Sequence, residues 1–230
     1  MHRIRRILLL LAALVLFTPA ILYLINWPNE HTFTAENRAL ANHPIDVVFL
    51  GDSITHRWPL PHPTWINRGI NGDHALVMLL RYPNDVAALH PHTVVFLGGI
   101  NDLKASNIPN HLRFLMPYEV EASIRLIALQ ARLHHQRLIL CSLTPVDPSL
   151  APSAIRVPPN QLRPDEILAV NRWLKAFAAS HHLTYVDYYS VLTDGHDHLR
   201  PTLTSDGLHP NSSGYALMQP LIEKAINTNP

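Results

Sequence analysis

The chain of 230 residues is 47% apolar and only 15% charged, with 18 Lys and Arg against 17 Asp and Glu for a formal charge of +1. That balance leaves no electrostatic footprint for nucleic acid, while the apolar share excludes a disordered chain and eight glycines exclude a collagen repeat. The single cysteine, Cys141, excludes an intramolecular disulfide framework and a cysteine-built zinc site.

Arg3, Arg5 and Arg6 precede residues 7–25, which contain no charged side chain. As a helix those nineteen residues span about 28 Å at ~1.5 Å each, close to the roughly 30 Å hydrocarbon core of a bilayer. Residues 1–28 are therefore expected to be a hydrophobic helix that anchors the chain. The alternative is a signal segment cleaved near Thr18-Pro19-Ala20, although the apolar part of such signals runs only ~7–15 residues. Both readings leave the arginines in the cytoplasm and the rest of the chain outside, periplasmic or extracellular, tethered in one case and secreted in the other. Residues 29–44 are polar and read as a tether, with one helical turn around 35–41.

From residue 45 to 230, apolar runs of strand type alternate with stretches of helical period. The predicted strands are 46–51, 64–67, 93–98, 137–143 and 184–187. The pentapeptide VVFLG occurs in both the first and the third, and continuous β-branched and aromatic runs of this kind belong to strands covered on both faces of a parallel sheet. Helical spacing appears in 74–89, 118–134 and 165–181. Residues 145–164, with six prolines, read as a long loop. The alternation predicts an α/β sandwich around a parallel sheet, in which ligands collect beyond the carboxyl ends of the strands.

Four stretches at such places carry candidate chemistry. Gly51-Asp52-Ser53-Ile54-Thr55 puts a serine hydroxyl at a strand end, as a helix cap or as a nucleophile. It is not a G-x-S-x-G elbow, because position 55 is Thr. Asn67-Arg68-Gly69-Ile70-Asn71-Gly72-Asp73 opens a helix with two glycines that let backbone N–H groups approach a ligand. Gly98-Gly99-Ile100-Asn101-Asp102 supplies an amide, either a turn residue or a donor to a developing oxyanion. In Asp206-Gly207-Leu208-His209-Pro210, a carboxylate three residues before a histidine can hold Nδ1–H and turn Nε2 toward a serine. Asp194-Gly195-His196-Asp197-His198 competes as a second Asp/His tract, read as a solvated loop or a metal-binding stretch. Trp58, Trp65, Leu103, Leu143 and Leu208 are candidate walls of the cleft.

The four blocks GDSIT, NRGINGD, GGIND and DGLHP, in this order from residue 51 to 210, resemble those of the SGNH (GDSL-type) hydrolase superfamily. The resemblance implies a flavodoxin-like three-layer α/β/α sandwich with a five-stranded parallel sheet over residues 45–230. It implies Ser53 as nucleophile, His209 as general base and acid, and Asp206 as the residue orienting His209. The implied oxyanion hole comprises the Ser53 N–H, the Gly72 N–H and the Asn101 side chain. Gly72 is chosen over Gly69 because the family's glycine directly precedes an acidic residue, here Asp73. No metal or organic cofactor is implied.

The expected function is a serine hydrolase that cleaves acyl or acetyl esters of lipids or envelope glycans through an acyl-enzyme. The alternative is a non-catalytic, membrane-tethered glycan- or lipid-binding module of the same fold. A metal-dependent phosphoesterase would have to draw on the 194–198 tract together with Asp52, Asp73 and Asp102. The sequence also departs from the family in its short, proline-interrupted connection between the first two blocks, which leaves little room for a long helix there.

Overall fold

Strand-forming runs set the frame. The computed structural model describes residues 33–40, 43–104, 114–150 and 162–228. Among them are the strands β1 (Val47–Gly51), β2 (Trp65–Gly69), β3 (Thr93–Leu97), β4 (Arg137–Cys141) and β5 (Thr184–Val186). They form one parallel sheet in the order β2-β1-β3-β4-β5, the flavodoxin-like arrangement. Every residue of β1 and β3 is buried, as their uninterrupted apolar runs require. The edge strand β2 runs on through Asn67, Arg68 and Gly69, beyond its predicted end at 67, because an edge tolerates polar side chains.

The helices are α1 (Thr34–Ala39), α2 (Ser53–His56), α3 (Ala75–Asp85), α4 (Met116–Leu133), α5 (Pro164–Ser180), α6 (Tyr189–Leu192) and α7 (Ser212–Asn227). The three predicted helical stretches fall on α3, α4 and α5, which pack in succession on the face where right-handed crossovers place them. Helix α2 is a single turn, as the prolines after it led us to expect. Helix α7 returns over the opposite face, where the Tyr215 ring packs on Trp58 and its hydroxyl donates to Ile54 O at 2.7 Å. Helix α7 lies outside the three predicted helical stretches. Gly214 and Pro220 weaken its helical signature, yet Tyr215, Met218 and Ile222 share one buried stripe.

Part of the expected tether is docked. Phe33 N–H donates to Asp85 Oδ1 at 3.0 Å, the Asn37 amide donates to Asn84 O at 2.7 Å, and the Arg68 guanidinium lies 4.4 Å over the Phe33 ring. Residues 7–25, and with them the predicted anchor, lie outside the described residues. Among the described residues no helix is long and apolar enough to cross a membrane. Of the expected loop 145–164, residues 148–150 form a 3-10 turn, and 151–161 lie outside the described residues.

Candidate active site

In a 2-1-3-4-5 sheet the chain reverses its direction of winding between β1 and β3, which opens a crevice at their carboxyl ends. Ser53 follows β1 and Asn101 follows β3, so both stand at that crevice. Gly51 closes β1 in a crowded place. A β-carbon there would lie 2.1 Å from Thr55 Oγ1 and 2.5 Å from Leu97 O, so its role is close packing. Asp52 then caps α2 by accepting the Ile54 N–H at 2.9 Å, and the Ser53 N–H, at the first position of the turn, has no acceptor among the described residues.

The fourth block, more than 150 residues away in sequence, meets this serine. Ser53 Oγ lies 2.8 Å from His209 Nε2, and His209 Nδ1 lies 2.6 Å from Asp206 Oδ2. The other carboxylate oxygen accepts the backbone N–H groups of His209 at 2.8 Å and Leu208 at 3.0 Å. The carboxylate is thereby oriented by its own loop, with one oxygen left for the ring. Thr204, not singled out from the sequence, braces that loop: its hydroxyl donates to His209 O at 2.8 Å and accepts the Gly207 N–H at 3.0 Å. Burial works to raise the Asp206 pKa, but bonds from the His209 N–H, its ring and the Leu208 N–H hold it below the usual carboxylate value. Burial also pulls His209 below the ordinary histidine value, in spite of Asp206. At neutral pH the pair is therefore a carboxylate beside a neutral imidazole, able to take a proton from the serine.

The second and third blocks are stitched together. The Asn101 amide donates to Asp73 O at 2.9 Å, and both Asp102 oxygens accept the Ala75 N–H, at 3.1 and 3.0 Å, capping α3. Gly72, in the turn between them, has φ +83°, a conformation that L side chains rarely adopt. Among the described residues its N–H carries no hydrogen bond, whereas the Gly69 N–H is taken by Asn67 Oδ1 at 2.8 Å. Beneath lies Arg81, buried, its Nε 2.7 Å from Asp73 Oδ2 and its Nη1 3.1 Å from Asp85 Oδ2. Its Nη2 donates to Gly51 O at 3.0 Å and Arg68 O at 2.8 Å. One guanidinium thus fixes the ends of β1 and β2 against the Gly72–Asp73 turn.

The carboxylates that a metal reading needed are therefore committed elsewhere: Asp52 and Asp102 cap helices, and Asp73 pairs with Arg81. The 194–198 tract is exposed, and among the described residues no group of three His, Cys, Asp or Glu side chains converges to hold an ion. The proposed walls need correcting. Trp58, Leu103, Leu143 and Leu208 are buried in the core, Trp58 being packed among Phe49, Tyr188 and Tyr215, because large apolar side chains next to strand ends gain more from the interior than from a cleft.

A parallel α/β sheet that gathers serine, histidine and aspartate at its switch point has the layout of a hydrolase of the esterase type, and the comparisons agree. The chain belongs to the GDSL-like Lipase/Acylhydrolase family, whose model matches residues 49–217. It is 31% identical to a Bacteroides fragilis protein assigned as an acylhydrolase, with a TM-score of 0.74 over 88% of this chain and 97% of that one. It is 30% identical to a GDSL-like lipase from Bacteroides thetaiotaomicron, with a TM-score of 0.71 over 84% and 95%. An acetylxylan esterase from Geobacillus stearothermophilus shares the fold at 19% identity, with a TM-score of 0.61 over 80% and 95%. No curated protein matches the chain.

Proposed function

We propose that the protein is a serine esterase working through an acyl-enzyme on Ser53. The observation that carries this reading is the unbroken chain from Ser53 Oγ to His209 Nε2 and from His209 Nδ1 to Asp206, at 2.8 and 2.6 Å. Ser53 Oγ attacks the ester carbonyl carbon while His209 Nε2 takes its proton, and Asp206 stabilises the resulting imidazolium. The carbonyl oxygen, now an anion, is met by the N–H groups of Ser53 and Gly72 and by the Asn101 amide, where a single donor is worth about 3 kcal/mol of barrier. His209 returns its proton to the departing alcohol. Water then attacks the acyl carbon, giving its proton to His209, and the acid leaves as Ser53 Oγ is reprotonated.

The substrates proposed are acyl or acetyl esters of lipids or envelope glycans, met outside the cytoplasmic membrane by a domain held there by residues 1–28. A carbonate wash that frees the intact protein from membranes would count against that tether. The chemistry is tested by labelling with a fluorophosphonate probe. Wild-type protein is expected to be labelled on Ser53 and inactivated, and Ser53→Ala to remain folded, unlabelled and inactive toward p-nitrophenyl acetate. Retention of more than a few per cent of kcat in Ser53→Ala overturns the mechanism.

A further inference from the structure

Lys104 stands three residues after Asn101 and has no part in the mechanism above. Its Nζ donates to Asn101 Oδ1 at 2.6 Å, and its backbone N–H donates to Asn101 O at 3.2 Å. A side-chain amide offers two N–H donors and one carbonyl oxygen. In Asn101 one N–H is spent on Asp73 O at 2.9 Å and the oxygen on the lysine, so a single N–H is uncommitted. Turning the amide over would set its NH2 against the ammonium and its oxygen against the Asp73 carbonyl, two repulsions in place of two bonds. The ammonium also draws electron density toward Oδ1, which makes the remaining N–H a stronger donor.

We propose that Lys104 is a positioning residue of the oxyanion site, which through Asn101 both orients and polarises the amide N–H that meets the developing charge. The inference rests on the reading of Asn101 as an oxyanion donor. Burial works against the charge of Lys104, and the carboxylates of Asp52 and Asp206 work in its favour. The cation is thus held in a partly desolvated place, where its effect on a neighbouring amide is weakly screened.

The test is a mutant cycle on the full chain with p-nitrophenyl acetate. Lys104→Met is expected to lower kcat about tenfold with KM unchanged, the size of one lost charge-assisted hydrogen bond felt only in the transition state. Lys104→Arg should recover most of that loss. In an Asn101→Ala background Lys104→Met should cost nothing further, since its influence passes through the missing amide. A kcat unchanged by Lys104→Met, a loss that appears in KM instead, or a loss that persists in full in the Asn101→Ala background overturns the proposal. If Lys104→Met does not fold, Lys104→Gln takes its place in the cycle, with the same three outcomes decisive. An Asn101→Ala variant with undiminished kcat would overturn the oxyanion reading itself. An impaired Asn101→Ala beside an unimpaired Lys104→Met overturns only the role of Lys104.

Discussion

Two stretches near the C-terminus are written in almost the same letters, Asp-Gly-His-Asp-His at 194–198 and Asp-Gly-Leu-His at 206–209. In the first, Asp194 Oδ1 accepts the backbone N–H groups of His196 at 2.8 Å and His198 at 3.2 Å, and both imidazoles stand in solvent. In the second, Asp206 Oδ1 likewise accepts two backbone N–H groups, but its Oδ2 meets a ring that is partly desolvated beside Ser53. Both carboxylates close their own turns, and only one turn delivers an imidazole to the end of β1. What separates the two pairs is the oxygen that the backbone leaves for the ring and the place to which the sheet brings that ring.

The comparison breaks most sharply in activity. His209→Ala is expected to lower kcat by about 10⁴-fold or more, because base and nucleophile act as one unit. His196→Ala and His198→Ala should each stay within about twofold of wild type, as befits surface side chains outside the reacting unit. Steady-state kinetics on a chromogenic ester decides between the tracts, and a loss of activity at 196 or 198 with none at 209 would reverse the assignment. Asp206→Asn should cost less than His209→Ala, about 10²–10⁴-fold. Its pH profile sharpens the point. Burial lowers the His209 pKa and Asp206 offsets part of that, so the wild-type kcat/KM should rise with pH through a midpoint below 6.5. In Asp206→Asn that midpoint should move further down, and an upward movement would show that the carboxylate does not stabilise the imidazolium.

The parts of this site that could be read from the sequence are those fixed by local pattern. Ser53, Asn101 and the Gly72–Asp73 turn each come after a run whose apolar character marks a strand, and a parallel sheet gathers the loops at its carboxyl ends along one edge. Asp206 and His209 are three residues apart, and their bond is local. Lys104 and Thr204 escaped because a lysine or a threonine in a loop has no periodicity. Their partners are set by the shapes of turns, which the letters do not encode. Arg81 stands four residues before Asp85, a spacing that any helix brings together, but its bonds to Gly51 O and Arg68 O exist only once β1 and β2 are paired. The wall residues failed for the opposite reason: apolar type was legible, but whether a side chain lines a cleft or fills the core depends on what distant segments lay over it, as the Tyr215 ring of α7 does for Trp58.

Asp52 carries the smallest and most specific expected effect. Its carboxyl is buried, with Oδ1 on the Ile54 N–H and Oδ2 without a hydrogen-bond partner among the described residues, and burial pushes its pKa up to about 7. The folded protein thus holds a proton there that the unfolded chain, with a value of 3.8, gives up earlier. Asp52 therefore favours the fold fully below about pH 4, and that contribution is lost as the pH rises toward 7 and stays lost above it. Asp206, with its pKa lowered, has the opposite sign and loses its contribution as the pH falls. Asn at position 52 keeps an oxygen for the Ile54 N–H and cannot ionise. Asp52→Asn is then expected to stabilise the protein by about 1–2 kcal/mol at pH 7.5 and by much less at pH 4.5, measured as the difference between thermal melts at the two values. An equal shift at both would assign the change to packing. A destabilisation confined to pH 7.5 would mean that the carboxylate is ionised in the fold and held by the Lys104 charge, which would join Asp52 to the electrostatics of the oxyanion site.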